Sequence, residues 1–152
     1  MNMEPKIYRM NPAQKEQVVE TLKNALSAIE EVRFAFLFGS FSDDGEKGLL
    51  SFHDIDIGVF LQGTGTGEKK EREKKAVYYG LELSEQLSSL VRLPVDARVI
   101  NFAPVTFLFH VVRGRLLVDK DEDTRCTFME WVVRHYLDMK PLLHRAIKEA
   151  YG

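Results

Sequence analysis

The chain has 152 residues, of which 45% are hydrophobic and 29% are charged, and its formal net charge is -2. This size and balance are typical of one globular domain and exclude a disordered chain, so we expect residues 1–152 to form a single domain. The small net charge disfavours a dedicated nucleic-acid binder, because such proteins present a basic surface to phosphates.

The chain begins with a predicted helix followed by a buried strand. Asn11-Pro12-Ala13-Gln14 combines a capping residue, a proline at the first helical position and a glutamine at the third. This motif and the apolar spacing after it predict a helix from Pro12 to Glu30. The apolar run Phe34 to Phe38 ends at Gly39-Ser40, which predicts a strand that enters a turn.

The middle of the chain adds two strands and a helix. We expect a loop over residues 43–52, a strand near Asp54 to Leu61 and a flexible connector from Gly63 to Gly67. The mixed charge run Glu68 to Lys75 opens a helix with a solvated face. Alternation from Pro94 to Ile100 predicts the third strand.

The last third is predicted to be mainly helical. A short helix over Ala103 to Val112 and a strand over Leu116 to Val118 precede a helix from Glu122 to Ala150, which Pro141 should kink. One stripe of that helix collects core or partner-contact residues: Phe128, Trp131, Val132, His135, Met139, Leu142 and Leu143. The fold class is α+β, or α/β-like, with a small mixed sheet packed by helices, a core over 33–101 and a helical part over 122–150.

The apolar segments and the cysteine content bear on location. The longest apolar stretches fall far short of the roughly 18 to 20 residues that cross a bilayer, and no signal segment opens the chain. A single cysteine, Cys126, forms no internal disulfide. We expect a cytoplasmic protein that does not bind membranes.

Three aspartates form a candidate metal site. Asp54 and Asp56 are two residues apart on a predicted strand, so their side chains leave one face while Ile55 and Ile57 leave the other. Converging carboxylates repel each other unless a cation neutralises them, and Mg²⁺ prefers such oxygen ligands. Asp96 joins them if its strand lies beside the second, and it would then accept the proton of an attacking hydroxyl.

Gly39 and Ser40 form a candidate phosphate-binding turn. Glycine allows close approach of the backbone to phosphate, and serine offers a hydroxyl and an amide. Gly39-Ser40, Asp54-Ile55-Asp56 and Asp96 together resemble the nucleotidyltransferase superfamily, and the short chain is similar to its minimal nucleotidyltransferase (MNT) proteins. The resemblance implies a nucleotidyltransferase fold, ATP as substrate, two Mg²⁺ ions and release of pyrophosphate. It also implies an antitoxin that transfers AMP to a tyrosine of a HEPN-type toxin.

Two departures from the family pattern leave other functions open. His53 stands where the family usually has a small residue, and the loop Phe41 to Phe52 is longer than usual. One alternative is therefore an inactive module that neutralises its partner by binding, through the stripe of the last helix. Another is nucleotidyl transfer to a small molecule or an RNA end, which usually needs an additional substrate domain.

Several features have simpler interpretations. Asp-x-Asp alone is common on exposed strands, and the Gly63 to Gly67 segment lacks the lysine of a phosphate-binding loop. The four histidines show no metal-ligand spacing, although His53 adjoins Asp54. Arg98 could reach a phosphate, but an exposed or ion-paired arginine is more common.

Overall fold

The structure is a computed structural model that describes residues 6–42, 49–63 and 67–151. These residues form six strands and four α-helices. The strands are β1 (Tyr8–Met10), β2 (Val32–Phe38), β3 (Leu50–Phe52), β4 (Ile55–Leu61), β5 (Val95–Val99) and β6 (Arg115–Asp119). The helices are α1 (Pro12–Ser27), α2 (Lys69–Val91), α3 (Val105–Val112) and α4 (Glu122–Tyr151), and a 3-10 turn spans Ser40–Ser42.

A four-stranded mixed sheet has the order β5-β4-β2-β6. β4 pairs with β5 in parallel and with β2 antiparallel, and β6 pairs antiparallel with the other side of β2. The parallel pairing makes α2 the crossover between β4 and β5. β5 is therefore an edge strand.

A separate antiparallel pair joins β1 to β3, with Tyr8 opposite Phe52. β1 was not predicted from the sequence, and the expected loop over 43–52 was wrong at residues 50–52, which form β3. Each strand has three residues, too few to display an alternating pattern. Residues 43–48 of the expected loop and 64–66 of the expected connector lie outside the described part of the chain.

The start of α1 confirms the predicted cap. The Gln14 amide donates to Asn11 Oδ1 over 2.8 Å, and the Asn11 amide donates to Gln14 Oε1 over 2.9 Å. The two side chains thus satisfy two amides that a helix start leaves without partners. The helix ends at Ser27, earlier than the predicted Glu30, and the Ala28 amide closes it on the Asn24 carbonyl.

Helices cover both faces of the sheet, which confirms the α+β class. On one face, α1 and α2 bury Leu22 and Leu83 against inward-facing residues of β2 and β4. On the other face, α3 and the first turns of α4 bury Val111 and Val132 against Phe34 and other phenylalanines. Apart from the aspartates of β4 and β5, the central strands carry mainly apolar side chains on both faces, as expected for strands that are buried twice.

Most of α4 is exposed. The helix continues through Pro141 to Tyr151, and of its described residues only Val132 is fully buried. Phe128 and Val132 pack in the core, as one interpretation of the stripe expected, whereas every residue from 137 to 151 is exposed. The partner-contact interpretation of that exposed part stays a prediction. Among the described residues, no helix combines the length and apolarity needed to cross a membrane.

Candidate active site

The β4–β5 pairing brings the three aspartates together. Asp56 on β4 lies opposite Asp96 on β5, and Asp54 immediately precedes β4. Ile55 and Ile57 are fully buried while Asp54 and Asp56 are partly exposed, so the acids share the face predicted for them. One carboxylate oxygen from each acid lies within 4.8 Å of those from the other two.

The β2–β4 pairing places the glycine turn beside these acids. Phe38 pairs with Asp56, so Gly39 follows directly next to that carboxylate. Gly39 has φ +76°, and a Cβ at this position would overlap Asp56 Oδ2. The Ser42 amide and hydroxyl both donate to the Gly39 carbonyl, over 3.1 and 2.7 Å, and close the turn. Ser40 lies exposed within it.

The surroundings of Asp56 disfavour its charged form. Partial burial is the largest cause, and repulsion from Asp54 and Asp96 adds to it. Together they raise the pKa of Asp56 from 3.8 to about 6, although the positive charge of Arg98 opposes the change. A cation among the three oxygens would remove this repulsion. The donor set consists of hard carboxylate oxygens, which fits Mg²⁺, and Asp54, Asp56 and Asp96 are the residues that would hold it.

Asp96 is fixed by its neighbours. Arg98 donates through Nε and one terminal nitrogen to Asp96 Oδ2, over 3.2 and 3.1 Å, which agrees with its ion-paired interpretation. The backbone amides on either side of Asp96 donate to α2: Val95 to Ser88 Oγ over 2.9 Å and Ala97 to Ser84 Oγ over 2.8 Å. These serines satisfy the outward amides of an edge strand and hold Asp96 in register.

Two further residues adjoin the site. Lys15 is only 5% exposed, and its amine donates to the Ser42 carbonyl over 3.3 Å and lies over the Phe41 ring. It supports the glycine turn, and its helical spacing with Val19 and Leu22 was the sequence signal for its burial. His53 is exposed, and its Nδ1 lies 3.3 Å from the Lys6 carbonyl oxygen.

A protein-family model matches about two thirds of the chain. Residues 20–123 match the family model described as polymerase beta, nucleotidyltransferase. The match includes all five candidate residues, Gly39, Ser40, Asp54, Asp56 and Asp96. No curated protein matches the chain.

Solved structures share the fold at low sequence identity. One is a tri-AMPylated Shewanella oneidensis HEPN toxin in complex with MNT antitoxin, with 18% identity, a TM-score of 0.59 and coverage of 94% of this chain and 100% of that chain. Another is the toxin-antitoxin MntA-HepT, at 18% identity, TM-score 0.60 and 92% and 98% coverage. A third is a toxin-antitoxin with AMP-PNP, at 19% identity, TM-score 0.60 and 91% and 98% coverage. These likenesses confirm a nucleotidyltransferase-like fold.

Proposed function

This chain belongs to the polymerase beta nucleotidyltransferase family, and on that premise we propose that it transfers AMP from ATP to a tyrosine of a HEPN-type toxin, as an antitoxin. The observation that carries the proposal is the convergence of Asp54, Asp56 and Asp96 beside the Gly39 turn. The similar solved complexes support the partner and the nucleotide: one contains a tri-AMPylated HEPN toxin with its MNT antitoxin, and another contains AMP-PNP.

The chemistry assigns a role to each group. The turn at Gly39 and Ser40 binds the triphosphate through backbone amides and a hydroxyl. Asp54, Asp56 and Asp96 would hold Mg²⁺, and the ion would supply positive charge to the phosphates. The tyrosine oxygen bonds to the α-phosphorus, the bond from that phosphorus to the bridging oxygen breaks, and pyrophosphate leaves. Asp96, at the edge of the site, accepts the phenolic proton.

Labelled ATP tests this proposal. The purified protein is incubated with its cognate toxin, Mg²⁺ and ATP labelled on either the α- or the γ-phosphate. The α-label should appear on the toxin and the γ-label should appear in pyrophosphate. Asp54→Asn and Asp56→Asn should abolish transfer, whereas Asp138→Asn, at an exposed acid on α4, should not affect it. An unlabelled toxin, with both proteins folded and in complex, would reject the proposal, and label on a small molecule without toxin would indicate a different acceptor.

A second candidate function is neutralisation by binding alone. It is favoured by the exposed apolar side chains on α4, which include Leu137 at 55%, Leu142 at 66% and Ile147 at 61%. Under this function, Asp54→Ala and Asp56→Ala leave toxin neutralisation intact in a growth assay. Loss of neutralisation by these variants, with the complex retained, would exclude it.

A further inference from the structure

A cavity of about 680 Å³ lies at the free edge of the sheet, against Asp96. Its walls come from α2, from β5 and from the segment that enters α3. This volume falls within the range of roughly 300–1,000 Å³ that is usual for sites that bind small groups. The cavity therefore adjoins the carboxylate cluster and is large enough for a side chain.

The strand order sets the direction from which each reactant enters. β4 carries Asp56 and lies between β5 and β2. The turn at Gly39, which the proposed function assigns to the triphosphate, follows β2, whereas the cavity adjoins β5, so the turn and the cavity flank β4 on opposite sides. Phosphoryl transfer proceeds with the attacking and leaving oxygens roughly in line, on opposite sides of phosphorus. With pyrophosphate leaving at the turn, the acceptor must enter from the cavity.

The charge and polarity of the walls favour a neutral aromatic group. Apolar side chains dominate, and two of them on α2, Val77 and Leu81, are 62% and 63% exposed at the cavity. The charged residues of the lining are two acids, Glu73 and Asp96, and one base, Arg98. Because negative charge prevails, the cavity disfavours a polyphosphate. A tyrosine has a large apolar ring and one hydroxyl at its tip, which matches apolar walls that lead to a carboxylate.

We propose that this cavity is the acceptor site and holds the phenol of the toxin tyrosine that receives AMP. The inference rests on the proposed function. Val77 and Leu81 contact the ring or the adjoining toxin segment, and the hydroxyl points to Asp96. The adenine of ATP lies elsewhere.

Paired substitutions on α2 separate acceptor binding from nucleotide binding. In Val77→Asn/Leu81→Asn, kcat/KM for the toxin should fall by at least about tenfold, because apolar contact area is lost. The dissociation constant for AMP-PNP should stay within about twofold. The matched control is Tyr78→Asn/Leu90→Asn, which changes two exposed side chains of the same helix outside the cavity and should alter neither quantity. An unchanged kcat/KM, or an equal loss of AMP-PNP affinity, would overturn the inference, and the latter would assign the cavity to the nucleotide.

A crosslinking experiment tests the contact without turnover. A benzophenone photo-crosslinker in place of Leu81 should attach to the toxin peptide that contains the acceptor tyrosine, and one in place of Leu90 should not. If the wild type transfers no AMP, the proposed function fails, and the crosslink alone then decides whether the cavity receives a toxin tyrosine. A toxin crosslink at neither position, or equally at both, would reject the inference.

Discussion

Replacing Asp56 by asparagine should stabilise the metal-free protein at neutral pH. The Asp56 pKa rises from 3.8 to about 6 on folding, so the folded protein binds this proton more tightly than the unfolded chain. The contribution of Asp56 to stability therefore falls as pH rises from about 3.8 through about 6, and it remains low above that. At about 1.4 kcal/mol per pKa unit, the upper bound of the penalty is about 3 kcal/mol. Because the side chain is half exposed, solvent screening reduces the penalty to about 1–2 kcal/mol.

Thermal unfolding in EDTA measures this penalty. At pH 7.5, Asp56→Asn should raise Tm by about 2 to 8 °C, since about 1 kcal/mol corresponds to about 2–4 °C in a domain of this size. The gain should shrink toward zero near pH 4, where the folded wild type is already protonated at Asp56. Added Mg²⁺ should raise the Tm of the wild type more than that of the variant. The electrostatic account of the cluster would be refuted if Asp56→Asn were no more stable than the wild type at pH 7.5. It would also be refuted if Asp56→Asn had the same Tm as the control Asp138→Asn.

Two further substitutions, at Gly39 and Ser84, each have a matched control at a residue away from the carboxylate cluster. Gly39→Ala should abolish AMP transfer and lower stability by more than about 1 kcal/mol, because it combines a positive φ with a Cβ that overlaps Asp56. The control Gly63→Ala also has a positive φ, +81°, but its Cβ would meet open space. This control should lower stability and leave AMP transfer intact. Ser84→Ala leaves a β5 amide without its partner and should cost about 1–3 kcal/mol in urea unfolding and lower kcat, whereas exposed Ser89→Ala should change neither.

The convergence of the three aspartates could be predicted from the sequence because their placement follows from local rules. Side-chain alternation fixes that Asp54 and Asp56 share a face, and the predicted neighbouring strand brings Asp96 to them. The glycine turn could also be recognised, since it ends an apolar run. The overlap that a Cβ at position 39 would have with Asp56 could not be predicted, because it depends on the register between β2 and β4.

Features that depend on tertiary contacts were missed. Ser84 and Ser88 look like ordinary helix residues, and only the docking of α2 on the sheet edge reveals their bonds to β5. The cavity is likewise invisible in sequence because its walls come from three separate segments. The stripe on α4 has helical periodicity throughout, but periodicity cannot say where the covering elements stop.

Peptide mass spectrometry of the toxin tests the central claim most directly. The toxin is purified after co-expression with the wild-type chain or with Asp54→Asn/Asp56→Asn, and the modified residue is located. We predict AMP on a tyrosine with the wild type and an unmodified toxin with the variant, although both form the complex. An unmodified toxin in a stable wild-type complex, or equal modification with the variant, would contradict catalysis by these carboxylates.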